Sequence, residues 1–179
     1  QRAETGDADQ VREALRALGL LGGLGSRARR GFGSLALEDL DGADLRAGSP
    51  AAYQDQLREL LGALPRPEGT PPYTAWSRGS RLVHLGEGRH ARAAHAAMGD
   101  KYKTFRVPPS AGGYPAREKA VFGTPLSGAR DDRRGSPLIM HVHPVGDQFA
   151  ATGLFLPAQF RPGEVLPAAR PLPILQRAA

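Results

Sequence analysis

GGLGSRARRGFGSL, residues Gly22–Leu35, gathers five glycines and three arginines between a helical pattern and an apolar alternating run. Glycine alone enters the positive-φ region freely and lets a second backbone approach closely. Arginine carries a fixed fork of donors that matches phosphate oxygens. No Asp or Glu occurs from Ala14 to Leu37, so the window is cationic without internal compensation. Two roles fit such a segment: a cradle for an anionic backbone, or a solvated turn. Alternation sends Arg27 and Arg29 the same way, while Arg30 turns back onto the protein.

Upstream, Asp7 and Gln10 have capping-box spacing, and Val11, Ala14, Leu15, Leu18 and Leu21 repeat at helical intervals. Gly19 and then Gly22-Gly23 are expected to end that helix. Downstream, Gly33–Leu40 reads as a strand and its acidic end (Glu38, Asp39, Asp41, Asp44) as a solvated turn. Helix–loop–strand reverses the order of phosphate-binding nucleotide motifs, and no Lys-Ser/Thr pair follows the glycines, so a mononucleotide site is disfavoured.

Ser49-Pro50 is a strong helix opening, and Tyr53, Leu57, Leu60, Leu61 and Leu64 continue it as an apolar stripe. Prolines 65, 67, 71 and 72 break that helix into a linker or surface loop. Arg81–Leu85 is a strand candidate, and Gly88–Met98 is an alanine-rich helix predicted to stop at Gly99. Asp100–Arg130 reads as a long basic loop. Leu138–Val145 and Gln148–Leu156 flank Gly146-Asp147 as a β-hairpin, and Pro157–Pro173 reads as an extended tail. The layout is thus mixed α and β (α+β), with a soft boundary between Leu40 and Ser49 or else in the proline stretch.

The 179 residues hold 24 basic and 18 acidic side chains, a net charge of +6. Such a balance favours anionic partners but does not single out nucleic acid. The absence of cysteine excludes disulfide and thiolate chemistry. No apolar run approaches the roughly 18 residues of a membrane span. With no signal-peptide pattern, a cytoplasmic protein without membrane partners is expected. Because the sequence begins at Gln1 and enters a helix almost at once, it is expected to be a piece of a longer protein.

Few residues invite catalysis. His141 and His143 share a strand face, but no third ligand accompanies them, so a polar sheet face is the simpler role. His84 is the one candidate for the general base of a metal-independent ribonuclease, with nothing adjacent to mark it. His90 and His95 do not share a helix face. No metal or organic cofactor is expected. Lys101, Tyr102, Lys103, Phe105 and Arg106 interleave bases with aromatics, suiting either stacking on single-stranded RNA or a loop anchored in the core. Arg130–Pro137 mixes both charges just before the hairpin and fits internal ion pairing.

At the arginine window the sequence resembles the glycine-rich loop of RAMP proteins from type III CRISPR effector complexes. It is most like the first RAMP subunit of the type III-B (Cmr) complex. Ala120–Leu126 (AVFGTPL) resembles the FGLP segment of that family, and Arg133–Leu138 (RRGSPL) resembles its C-terminal strand entry. Departures are mild: Thr124 stands where Leu is frequent, and Gly135 precedes Ser136. The resemblance implies ferredoxin-like, RRM-related domains, in which the glycine-rich loop joins the second helix to the last strand. Residues 1–45 would then end one such domain, and 46–179 would form a second with long loops and a proline-rich tail. The opening strand, helix and hairpin of the first domain have no counterpart before Gln1; they would lie in a preceding segment or a separate chain. The resemblance also implies a non-catalytic subunit that holds guide RNA near its 3′ end, helps capture target RNA and sits among other RAMP subunits. Gly23, Gly25, Arg27, Arg29, Arg30 and Gly31 would carry the RNA, with Lys101, Lys103 and Arg106 as further contacts. A RAMP endoribonuclease working through His84, and a scaffold without RNA contact, are the alternatives.

Overall fold

The computed structural model describes residues 5–106 and 136–158. Helix α1 (Thr5–Leu21) leads into the arginine loop, and strands β1 (Asp39–Leu40) and β2 (Ala43–Asp44) form a small antiparallel ribbon. Helix α2 spans Pro50–Ala63, strand β3 Arg81–Gly88, helix α3 Ala91–Arg106, strand β4 Leu138–Val145 and strand β5 Gln148–Phe155. The sheet is antiparallel in the order β3-β5-β4. A βαββ run with its third strand between the first two is the leading half of a ferredoxin-like sheet, so the α+β expectation holds.

Period-2 burial splits the sheet into two faces. Ile139, Val145, Ala150 and Leu154 pack with Leu20 and Leu21 of α1 and with Tyr53, Leu57, Leu60 and Leu61 of α2. Leu138, Met140, Val142, Ala151 and Phe155 pack with Val83, Leu85 and, from α3, Ala94 and Met98. Burying a large apolar side chain contributes about 1.5–3 kcal/mol, so the two clusters hold the three layers together.

Local signals were sound where chemistry is short-range. Ser49 caps α2, its Oγ accepting from the Ala52 N–H at 3.1 Å, with Pro50 in the first turn. The hairpin turns at Gly146, φ +59°, with Val145 opposite Gln148. Two expectations need correction. The strand expected over Gly33–Leu40 shrinks to Asp39–Leu40, with Ser34 making only an isolated bridge to Gly23. The helix expected to stop at Gly99 runs on to Arg106, so Lys101, Tyr102 and Lys103 sit on α3 rather than in a loop. Gly99 is exposed, so the packing of Ala94 and Met98 outweighs a helix-propensity cost of about 1 kcal/mol.

Ala120–Leu126, the rest of the basic segment beyond Arg106, most of Arg130–Pro137 and the tail beyond Ala158 lie outside the described residues. Of the third resembling motif, Ser136–Leu138 is described: Ser136 Oγ accepts from the Leu138 N–H at 3.2 Å and so opens β4. Among the described residues no helix is long and apolar enough to cross a membrane.

Candidate nucleic-acid interface

The arginine loop is built into the sheet edge. Strand β4 is an edge strand, so its outward N–H groups need partners. The Met140 N–H donates to the Arg29 carbonyl at 3.1 Å, and the Val142 N–H to Ser34 Oγ at 3.1 Å. Pro144, next on that side, has no N–H to satisfy. The Gly146 N–H then donates to the Ala47 carbonyl at 2.8 Å. Ser34 Oγ–H itself donates to the Gly31 carbonyl at 2.9 Å, tying the turn to the strand.

Within the loop, the Leu24 N–H donates to Gly33 O at 2.8 Å, Ala28 to Gly25 O at 3.2 Å, Arg30 to Arg27 O at 2.8 Å and Gly31 to Ala28 O at 3.0 Å. Gly31 and Gly33 are both required by φ, and Gly33 by space as well. At Gly31, φ +78°, a Cβ would lie 2.6 Å from Met98 Cε; at Gly33, φ +69°, it would lie 2.1 Å from the Leu24 carbonyl oxygen. Because its N–H is spent on Ala28, Gly31 shapes the loop rather than offering a donor to a ligand.

The three arginines part company. Arg29 Nη1–H donates to the Ser136 carbonyl at 2.5 Å, linking two segments that sequence alone places 107 residues apart. Arg30 does turn back: its guanidinium carbon lies 5.0 Å from the Tyr102 ring centroid, and its carbonyl faces His95 Nε2 at 3.0 Å. Arg27 stays exposed, 6.0 Å from the Phe32 ring centroid. Lys101 points elsewhere, its Nζ donating to the His84 carbonyl on β3 at 3.0 Å, toward the sheet edge opposite the loop. Lys103 is exposed on α3, and the Arg106 side chain lies outside the described residues.

Beneath the loop, His141 and His143 are buried, at 0% and 2% exposure. Helix α1 ends with carbonyls lacking intrahelical partners, and this cluster meets them. His141 Nδ1–H donates to the Gly22 carbonyl at 2.8 Å, the Gly19 carbonyl holds His143, and the two rings face each other with His141 Nε2 3.3 Å from His143 Nδ1. Tyr53 O–H donates to the Leu20 carbonyl at 2.7 Å, so Thr152 Oγ1–H must donate to the Tyr53 oxygen at 3.1 Å. The Tyr53 and His143 rings stack at 4.3 Å and 3°. Burial pushes both histidines down to about 4; the Gly22 carbonyl opposes this at His141, and the neighbouring His141 reinforces it at His143. Burial likewise raises the Tyr53 phenol well above its ordinary value. The pair expected to form a polar sheet face is therefore the neutral clamp that seats the start of the loop. The hint was chemical, since two donors lie on the strand that must receive a helix end, but sequence did not say which helix.

Elsewhere, His84 Nε2 lies 3.6 Å from Glu87 Oε1, both half-exposed on β3. Among the described residues no three His, Cys, Asp or Glu side chains gather as metal ligands.

No family model matches the chain, and no curated relative does. One solved structure does: Cmr1 from Pyrococcus furiosus in its apo form, at TM-score 0.56 and 24% identity. The chain has a Cmr1-like fold. The match covers 93% of this chain but 53% of the Cmr1 chain, so the sequence spans about half the length of that protein. A Cmr1-like fold agrees with the resemblance carried by the arginine loop, which the fold places against the β4 edge.

Proposed function

We propose that this chain is a non-catalytic RNA-binding subunit of a type III-B CRISPR effector complex. Its arginine loop holds the 3′ region of guide RNA, helps capture target RNA and works among other RAMP subunits in the cytoplasm. The observation that carries the proposal is the loop itself: a cationic turn with Arg27 exposed, anchored by backbone and side-chain bonds to an edge strand of a Cmr1-like fold. Anchoring matters because a phosphate contact made by an ordered loop does not spend binding energy on ordering it. Arg27 is the leading phosphate contact. Arg29 keeps further donors beyond the one given to the Ser136 carbonyl, Arg30 lays its guanidinium over the Tyr102 ring, and the Gly23 and Gly25 backbone assists. Lys103 and Arg106 are secondary contacts, whereas Lys101 serves β3.

Salt titration of single-stranded RNA binding tests this. Replacing Arg27 by Ala should weaken binding across sequences and reduce the log–log salt slope by about 0.7, one phosphate's worth. Replacing Arg27, Arg29 and Arg30 together should reduce it further. Unchanged affinity and slope in the triple variant refute the proposal.

A further inference from the structure

Phe32 stands half in solvent at a turn of fixed shape. It occupies the tip of the turn between Gly31 and Gly33, both at positive φ, and keeps 49% of its surface exposed. Apolar side chains of that size usually turn inward. Here the turn is fixed by the Gly31, Leu24 and Ser34 hydrogen bonds, so the ring is held outward by a rigid backbone. Its support is aromatic: His95 of α3 lies 4.4 Å away, tilted by 56°. The cation above it is Arg27. Across the loop, Leu24 is bonded to Gly33 and 64% exposed, so the tip presents a second apolar surface.

An exposed aromatic ring, braced from behind and bordered by arginine, is suited to stack on a planar π-system that arrives with negative charge. We infer that Phe32 is a stacking platform for one unpaired nucleobase of a single RNA strand, with Arg27 on the adjoining phosphate; the inference rests on the RNA-binding proposal and names the subsite within it. A base still stacked in a duplex has no free face to offer, so the ligand is an unstacked nucleotide. The contact is sequence-tolerant because every base has a π-face.

Stacking of this kind is worth about 1–3 kcal/mol per base, so Phe32→Ala should weaken binding roughly 5- to 150-fold. The side chain is exposed, and the substitution leaves the glycines and the loop hydrogen bonds in place. The test measures affinity of the 179-residue chain for a single-stranded RNA carrying 2-aminopurine or an abasic site at successive positions. The expected result is quenching at one position and a matching loss when that position is abasic. In Phe32→Ala the abasic site costs nothing more, and the salt slope stays as in wild type. Phe32→Trp should retain the contact and Phe32→Leu should lose it, which separates stacking from simple apolar burial. Wild-type affinity in Phe32→Ala, with salt-sensitive binding intact, overturns the platform and leaves the RNA-binding proposal standing. No RNA binding by the wild-type chain at low salt overturns both.

Discussion

Acid should loosen this molecule through the two rings at its centre. His141 and His143 are held down at about 4 from an ordinary 6.5, because charging either one inside the α1–sheet interface forfeits its hydration. Their neighbours are the Tyr53 ring and the Gly19 and Gly22 carbonyls, which supply no compensating negative charge. Once the chain unfolds, both rings bind protons below about pH 6.5, whereas the folded chain binds them only near 4. The unfolded state therefore holds more protons across that window, and stability rises with pH. The contribution is complete above 6.5, falls as pH drops, and levels off below about 4. From about pH 7 to about pH 5.5 each ring costs about 1 kcal/mol, so the pair costs about 2 kcal/mol.

Urea unfolding at the two pH values, followed by far-UV circular dichroism, measures this directly through the midpoint at constant slope. His143→Phe gives the control: it keeps a ring against Tyr53, leaves one titrating histidine and should halve the pH dependence while lowering stability at both pH values. Equal stability at the two pH values, or an undiminished pH dependence in His143→Phe, refutes the buried neutral pair.

Gly33→Ala and Gly42→Ala both place a Cβ at positive φ (+69° and +83°), but only at Gly33 would it meet a backbone oxygen. Gly33→Ala should lose at least about 2 kcal/mol more than Gly42→Ala by urea midpoint, and equal losses would mean that loop closure does not need the close approach. Labelled CRISPR repeat RNA incubated in EDTA is expected to stay intact with wild type and with His84→Ala. Product that appears only with wild type would assign the His84–Glu87 pair to cleavage and overturn the non-catalytic reading.

The legible parts of this fold were those decided within a few residues. Ser49-Pro50 announces a helix start through its own hydrogen bond, and Gly146-Asp147 between alternating strands fixes a hairpin register. What sequence misplaced depended on distant partners. Gly99 looks like a helix stop until Ala94 and Met98 are seen buried against the sheet. Gly33–Leu40 alternates like a strand, yet the ladder position beside β4 is taken by Arg29, Arg30 and Ser34, which meet it through isolated bonds. At the candidate site, residue types marked the loop as cationic and bent. Nothing local could bring His95 and Met98 beneath it, or show that Phe32 between two glycines would face outward.

Those distant partners also explain how one loop can be both glycine-rich and ordered. Five glycines in fourteen residues would leave a free segment with many backbone states, each costing conformational entropy to restrict. Here the restriction is imposed by folding. The Gly22 carbonyl is fixed by His141, Arg29 by Met140 and Ser136, and Ser34 by Val142. A ligand arriving at Arg27 and Phe32 thus meets a surface whose ordering cost has already been met by the β4 edge. That edge in turn needs the loop, because without it two buried-strand donors would be left open. The same coupling ties the site to the histidine pair: protonating the buried rings would set like charges against each other beneath the start of the loop. RNA affinity is therefore expected to fall with acid over the window in which His141 and His143 lose their seat. Binding at fixed salt, compared between wild type and His143→Phe from about pH 5.5 to about pH 4, where the folded rings take up protons, distinguishes this from titration of the RNA itself, since only the protein term changes with the variant.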